Sequence, residues 1–255
     1  MIFTRTPSNW KELQFMVYTI FSECGYLTES PKKLHSVRSE TIEVDVYAED
    51  NGTVKQVIVC ECKHWESKVP QSVVHAFRTQ VDDIGANTGF IISKNGFQKG
   101  ATSAVNSSNV RLLTWSEFDS LFEVLWYQKF FLPNVAEITD AFIEYNEPIN
   151  TRIFRKADVL DEGRQLNFKK LREKHFAMFA LCALLSASNF TKASPSLHCN
   201  PIELPLHKNQ AKINEIYPYP STVEKATSYK DLLYEIEKYV VDAIKEFDYV
   251  FGERA

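Results

Sequence analysis

Basic charge is not in excess in this sequence: 29 Lys and Arg stand against 33 Asp and Glu, a formal net of −4 with a pI near 5.9. A protein that coats nucleic acid by bulk positive charge is excluded, so any phosphate contact has to be local. Cysteine is sparse. Cys24, Cys60, Cys62, Cys182 and Cys199 are odd in number and scattered through 255 residues, unlike the even, dense pattern of secreted disulfide scaffolds, and a reducing cytoplasm is the expected setting. Long apolar runs are missing as well: the longest, Phe176 to Leu185, has ten residues, against the ~18 or more needed to span a bilayer. Met1 to Trp10 holds no apolar segment of the signal-peptide kind, so no membrane association and no secretion are expected. Neither an internal repeat nor a low-complexity run is present.

What remains is ordinary globular material, 44% hydrophobic and 24% charged, long enough for one large domain or two small ones. Ser8 is placed to cap a helix over about Asn9 to Cys24, where Leu13, Met16, Val17, Ile20 and Phe21 form a stripe at helical spacing before Gly25. Two runs rich in Val, Ile and Tyr, Thr41 to Ala48 and Val54 to Cys62, flank Glu49-Asp50-Asn51-Gly52 and read as a hairpin. A helix over Ser72 to Ile84, closed by Gly85, precedes a short strand, Gly89 to Ser93. Then come a turn at Asn95-Gly96, a helix over Gln98 to Ser107 and a strand over Val110 to Thr114.

This order predicts an α/β domain, a mixed sheet flanked by helices, over residues 1–120. Residues 121–255 read as a mainly helical domain, with helices over Phe118 to Phe131, Val135 to Tyr145, Asn167 to Ser186 and Tyr229 to Tyr249. Between Asn189 and Pro220, five prolines predict irregular chain with at most a short strand near Ile202 to Leu206.

Chemistry concentrates in Val57 to Lys63 and in Ile42 to Val46. Side chains alternate along a strand, so Glu61 and Lys63 share a face. With Asp45 from the neighbouring strand they form two carboxylates and an ammonium. Two carboxylates are able to share a hard divalent cation, which polarises a phosphoryl oxygen and lowers the pKa of a bound water, while Lys63 steers the water or stabilises growing negative charge. The competing reading is an exposed strand-end ion pair worth ~0–1 kcal/mol. Register adds a constraint on the first reading. A two-residue turn at Asn51-Gly52 would put Asp45 opposite Ile58 and leave Glu61 about 10 Å away on the other face. A shared ion requires Asp45 across from Glu61, hence a wide loop between Asp50 and Gln56, or a bulge.

Taken in order, Asp45, Glu61-Cys62-Lys63, the helix Val73 to Arg78, Gly89 to Ala101 and Val110 to Trp115 closely resemble the Mrr-like restriction endonuclease catalytic domain. That domain belongs to the PD-(D/E)XK nuclease superfamily, and the resemblance covers about residues 8 to 120. It implies a restriction-endonuclease-like fold and a metal-dependent phosphodiesterase acting on DNA, in restriction or phage defence. Asp45 and Glu61 would be metal ligands with the backbone carbonyl of Cys62, and Lys63 the catalytic lysine. Mg2+ would be the ion, with Mn2+ able to substitute. Val44 stands where many members have proline. The acidic residue usual on the first helix is matched by Gln14, with Glu12 half a turn away, as accessory positions.

Further candidates lie around this core. His75 and Arg78, at i and i+3 on a helix, are placed either to meet a phosphate or to form a solvated face. Ser93, Lys94 and the backbone after Gly96 lie where a strand feeds a helix, a natural anion site, though no Gly-Lys-Ser/Thr follows and nucleotide hydrolysis is not expected. Cys24, Cys60, Cys62 and His64, or His198, Cys199 and His207, match no closed zinc motif, and buried thiols are expected instead. Arg152 to His175 holds eight Lys and Arg against four acidic residues. Lys169, Lys170 and Arg172 are its candidates for the DNA backbone, an ordinary solvated surface being the alternative. The run Phe176 to Leu185 reads as a core helix or an interface for a partner protein or a second copy. Two other functions stay open: a nuclease-fold effector subunit controlled by a partner, and a nuclease for RNA or branched DNA.

Overall fold

The structure, a computed structural model, describes residues 1–38, 40–50, 52–147, 151–190, 200–206 and 219–252. The chain divides into two compact units, Arg5–Lys129 and Met1–Thr4 with Phe130–Ala255.

In the first unit, helix α1 spans Trp10–Glu23 and buries the predicted stripe from Leu13 to Phe21. Its cap is Asn9 rather than Ser8: the Asn9 side chain accepts the Glu12 N–H at 2.9 Å. The Ser8 N–H donates instead to the Glu12 carboxylate at 2.6 Å, so the two residues satisfy the open first turn from both directions. Gly25 ends the helix at φ +91°.

The strand expected over Thr41 to Ala48 is two strands in two sheets. After β1 (Leu27–Glu29), strands β2 (Lys32–His35) and β3 (Thr41–Val44) pair as an antiparallel ribbon, while β4 (Val46–Asp50) joins the main sheet. The break falls at Asp45. In one continuous strand Ile42, Val44 and Val46 would share a face, but Ile42 and Val44 pack in the same cluster as Tyr47, so the alternation slips by one residue there. Strands β5 (Gln56–Lys63), β6 (Thr88–Ser93) and β7 (Val110–Thr114) complete a mixed sheet of order β1-β4-β5-β6-β7, with β4 antiparallel to β5 and the last three strands parallel. Val54 lies outside β5; the loop from Asp50 to Gln56 is wide, and its Asn51 is outside the described residues.

Helix α2 (Gln71–Ile84) and the short α3 (Lys99–Ala104) cover one face, where Val74, Phe77, Val81 and Ala101 pack on Val59, Ile91 and Val110. Gly89 is required there, since a Cβ would stand 2.6 Å from Val81 Cγ2 and 2.9 Å from Phe77 Cε1. α3 stops short of the expected Ser107, whose φ is +56° and cannot continue a helix. On the other face Phe21 of α1 and Phe90 of β6 meet Phe118 and Phe122 of α4 (Trp115–Trp126) at ring-centroid distances of 4.9 to 6.1 Å. α4 begins three residues before the expected Phe118 because Thr114 and Glu117 form a capping box.

A π-helical turn, Tyr127–Phe131, follows, and the second unit is helical: α5 (Leu132–Asn146), α6 (Thr151–Asp158), α7 (Glu162–Phe190), α8 (Ser221–Glu224) and α9 (Tyr229–Phe251). The strand considered at Ile202 to Leu206 does not form; Pro205 has no N–H to give a ladder. The apolar run in α7 is not buried all round: Met178, Leu181, Cys182 and Leu185 are buried, Phe176 and Leu184 exposed. His198, Cys199 and His207 lie outside the described residues. Among the described residues no helix is long and apolar enough to cross a membrane.

Candidate active site

β5 carries the apolar stretch from Val57 to Cys62 into the centre of the sheet, and its last residues set the site. Cys60 and Cys62 are buried at 0% and 1% exposure. Glu61 and Lys63 take the opposite face, the one shared with Val59. The antiparallel register runs Asp50↔Gln56 through Val46↔Cys60. Asp45 directly precedes Val46, the last residue of that ladder, and its carboxylate turns to the backbone of Cys62, close enough for its charge to act on Glu61.

Asp45 is held from several sides. Its Oδ2 accepts the backbone N–H of Cys62 at 2.7 Å, and Trp10 gives its carboxylate a side-chain hydrogen bond. Its carbonyl oxygen accepts from Gln14 Nε2 at 2.7 Å and from Ser30 Oγ at 2.8 Å. Lys63 Nζ is paired with Glu61 Oε1, and both side chains are only about one-fifth exposed, at 18% and 21%. That burial is deeper than the strand-end ion pair of the competing reading supposes. Lys63 Nζ also sits 5.2 Å from the centre of the Trp65 ring.

The electrostatics follow. Burial pushes the Asp45 carboxyl above its ordinary value, against the opposing pull of the Cys62 N–H and of Lys63. Burial and the nearby Asp45 charge push Glu61 up, against the pull of Lys63. Two carboxylates share one ammonium in a largely desolvated place, so the donor set lacks positive charge and suits a small oxygen-seeking cation. Among the described residues there is no cluster of three His, Cys, Asp or Glu able to hold a metal; this pair supplies two acidic side chains.

The other sequence candidates fare differently. Gln14 reaches the Asp45 backbone, whereas Glu12 is engaged at the start of α1 with Ser8 and with Arg5 at 2.9 Å. His75 is exposed and its ring contacts the Gln71 side chain at 3.0 Å. Arg78 is not offered to a phosphate: its guanidinium donates to the Ala104 carbonyl at 2.6 Å and ties α2 to the end of α3. Ser93 is fully buried, and its hydroxyl donates to the Gly96 carbonyl at 3.1 Å, closing the turn. Lys94 pairs with Glu66, and its backbone N–H donates to the Lys63 carbonyl at 3.0 Å.

In the second unit Lys169 and Lys170 are exposed. Arg172 is not: it donates to the Asn146 carbonyl at 2.9 Å and lies over the Phe154 ring at 4.8 Å, which makes it a packing residue. Ser30 and Trp10 were not anticipated. Ser30 sits in a stretch without clear periodicity, and Trp10 reads as the apolar start of an amphipathic helix, so neither gives a sequence signal of its contact with Asp45.

Residues 7–122 match the restriction endonuclease family of the Mrr catalytic domain. Over this segment the chain is similar to Mrr-type restriction endonuclease domains. Two solved structures are also similar to the chain. One, a protein of unknown function named AF1548, is 20% identical over 41% of this chain and 59% of its own, with a TM-score of 0.35. The other, the MspJI restriction endonuclease in complex with a 27-mer oligonucleotide, is 16% identical over 46% of this chain and 28% of its own, with a TM-score of 0.30. The chain thus spans less than two thirds of either. No curated protein matches it. Within the matched segment, Glu61 and Lys63 lie at the end of β5 and Asp45 just before β4.

Proposed function

We propose that the chain is a Mg2+-dependent endodeoxyribonuclease that hydrolyses phosphodiester bonds in DNA, acting in the cytoplasm in restriction or defence against phage. The observation that carries this reading is the gathering of the Asp45 and Glu61 carboxylates and the Lys63 ammonium at the end of β5, within the segment that matches the Mrr-type family. Asp45 and Glu61, with the Cys62 carbonyl, would hold the ion, Mn2+ serving as a substitute. When bound, such an ion supplies a polarised phosphoryl oxygen and a water of lowered pKa. The protein's own groups do the rest. The Cys62 N–H and the Trp10 side chain orient the Asp45 carboxylate, Gln14 and Ser30 fix its main chain, and Glu61 keeps the Lys63 ammonium where a phosphate's developing charge would meet it.

Plasmid DNA incubated with the full chain tests this. Nicking or linearisation should require Mg2+ or Mn2+, stop with EDTA, and vanish in Lys63→Ala while the melting temperature stays within a few degrees. Undiminished cleavage by Lys63→Ala would remove Lys63 from the site.

A further inference from the structure

α1 has a second face that the core covers only in part, burying Gln14 and leaving Phe15 exposed. Leu13, Met16, Val17 and Ile20 turn inward, while Trp10, Lys11, Gln14, Phe15 and Tyr18 line a cavity of about 440 Å³ completed by Ser30 and Pro31. These positions repeat at i, i+4 and i+7 or i+8, so they form one continuous stripe of the helix. Three of the five are aromatic. Phe15 is 63% exposed and Trp10 44%, although Phe and Trp are the side chains whose exposure to water is most costly. The cavity is of the size of a small-ligand site, ~300–1,000 Å³.

Its position gives it meaning. Gln14 and Ser30, which line the cavity, are the two residues that donate to the Asp45 carbonyl. Trp10, also in the wall, bonds the Asp45 carboxylate. The aromatic wall and the site of Asp45, Glu61 and Lys63 are therefore separated by single hydrogen bonds.

We infer that this cavity receives an unpaired base of the DNA strand next to the bond being cut, so that the preferred substrate carries a single-stranded or extrahelical nucleotide there. The inference rests on the nuclease reading above and deepens it. Within an intact duplex both faces of a base are covered by its neighbours, whereas an unstacked base offers a ring face to Phe15, Tyr18 or Trp10, and such stacking tolerates any base. Gln14 and Ser30, both held by the Asp45 carbonyl, line the cavity with polar side chains. Lys11, exposed at the rim, supplies the cation that the adjoining phosphate requires.

The test compares three DNAs of one sequence: the duplex, the duplex with one unpaired base, and the single strand. Each is end-labelled and titrated with the full chain in EDTA, with fluorescence anisotropy as the readout. The unpaired-base duplex and the single strand should bind about ten-fold more tightly than the duplex, the size expected of one stacked base. Phe15→Ala should bring that ratio close to one, and Phe15→Trp should restore it. Equal affinity for all three DNAs, no measurable binding of any, or a loss in Phe15→Ala that is the same for each, overturns the inference. Adding Mg2+ afterwards separates this from the nuclease reading: a retained binding preference without cleavage leaves the base pocket standing and removes the catalytic assignment.

Discussion

The carboxylate of Asp45 accepts the backbone N–H of Cys62 at 2.7 Å, across the junction where two β-sheets part. The bond closes the gap that the chain opens by leaving one sheet for the other. Its acceptor is also one of the two carboxylates proposed to bind metal. Asp45→Asn keeps an oxygen for the Cys62 amide and removes a charge that burial disfavours. Because the Asp45 pKa is raised on folding, its ionisation costs stability, a cost that grows as pH climbs from the ordinary carboxylate value through the raised one and then stays constant. At neutral pH the Asn variant should melt at the same temperature as wild type or a few degrees higher, while calorimetric Mg2+ binding and cleavage disappear. Asp45→Ala should instead lose ~1–3 kcal/mol, because the Cys62 N–H is left buried and unpaired. A large drop in the Asn variant would make Asp45 a structural anchor only.

Much of this was legible in the chain itself, for identifiable reasons. The wide loop between Asp50 and Gln56 follows from asking Asp45 and Glu61 to share an ion, and the pairing Asp50↔Gln56 has that loop. β7, from Val110 to Thr114, is a short apolar run between turns and matches residue for residue. The break at Asp45 was not legible, because Ile42, Val44 and Val46 keep a perfect alternation in sequence and only packing against Tyr47 shows the slip. β1 and β2 were missed because each has exposed or half-buried side chains and no apolar signal. Arg78, Ser93 and Arg172 illustrate a general limit: a polar residue beside a site has the same sequence signature whether it meets a ligand or a neighbouring carbonyl, and only the partner atom decides.

Gly89 gives a stability prediction that is independent of the chemistry. A methyl group there would stand 2.6 Å from Val81 Cγ2, 2.9 Å from Phe77 Cε1 and 3.2 Å from Val110 Cγ2. α2 would have to lift from the sheet. Gly89→Ala should cost about 1–3 kcal/mol, read from the midpoint of urea unfolding. An unchanged midpoint would show that α2 packs more loosely than these distances state.

The basic segment now splits into two kinds of residue. Lys169→Glu with Lys170→Glu should weaken DNA binding for all sequences alike and lower the slope of log K against log salt by ~0.9 for each phosphate no longer neutralised, with the melting temperature unmoved. Arg172→Ala should do the reverse, lowering the melting temperature by removing its bond to Asn146 and its packing on Phe154, with the salt slope intact. If the lysine pair leaves the salt slope unchanged, this surface does not hold the DNA backbone.

His175 is expected to give the helical unit a pH dependence near neutrality. It is 2% exposed, lies 2.6 Å by Nδ1 from the Tyr239 hydroxyl and 3.2 Å by Nε2 from Glu246 Oε2. The Glu246 carboxylate can only accept, so Nε2 carries the N–H, and in the neutral ring that burial favours Nδ1 accepts from the Tyr239 O–H. Burial holds the His175 pKa below 6.5 despite the neighbouring Glu246. The unfolded chain therefore takes up a proton below about pH 6.5 that the folded chain refuses, and stability should fall as pH drops from there to the depressed value, then level off for this group. Glu246, lowered because its bonds to Lys174 and His175 outweigh burial, loses its contribution only in a separate window below the ordinary carboxylate value. Urea midpoints at pH 7.5 and pH 5.5 should therefore separate for wild type. In His175→Phe both midpoints should be lower, since Tyr239 loses its partner, and the difference between them should shrink. An undiminished difference in that variant would assign the pH dependence to groups other than His175.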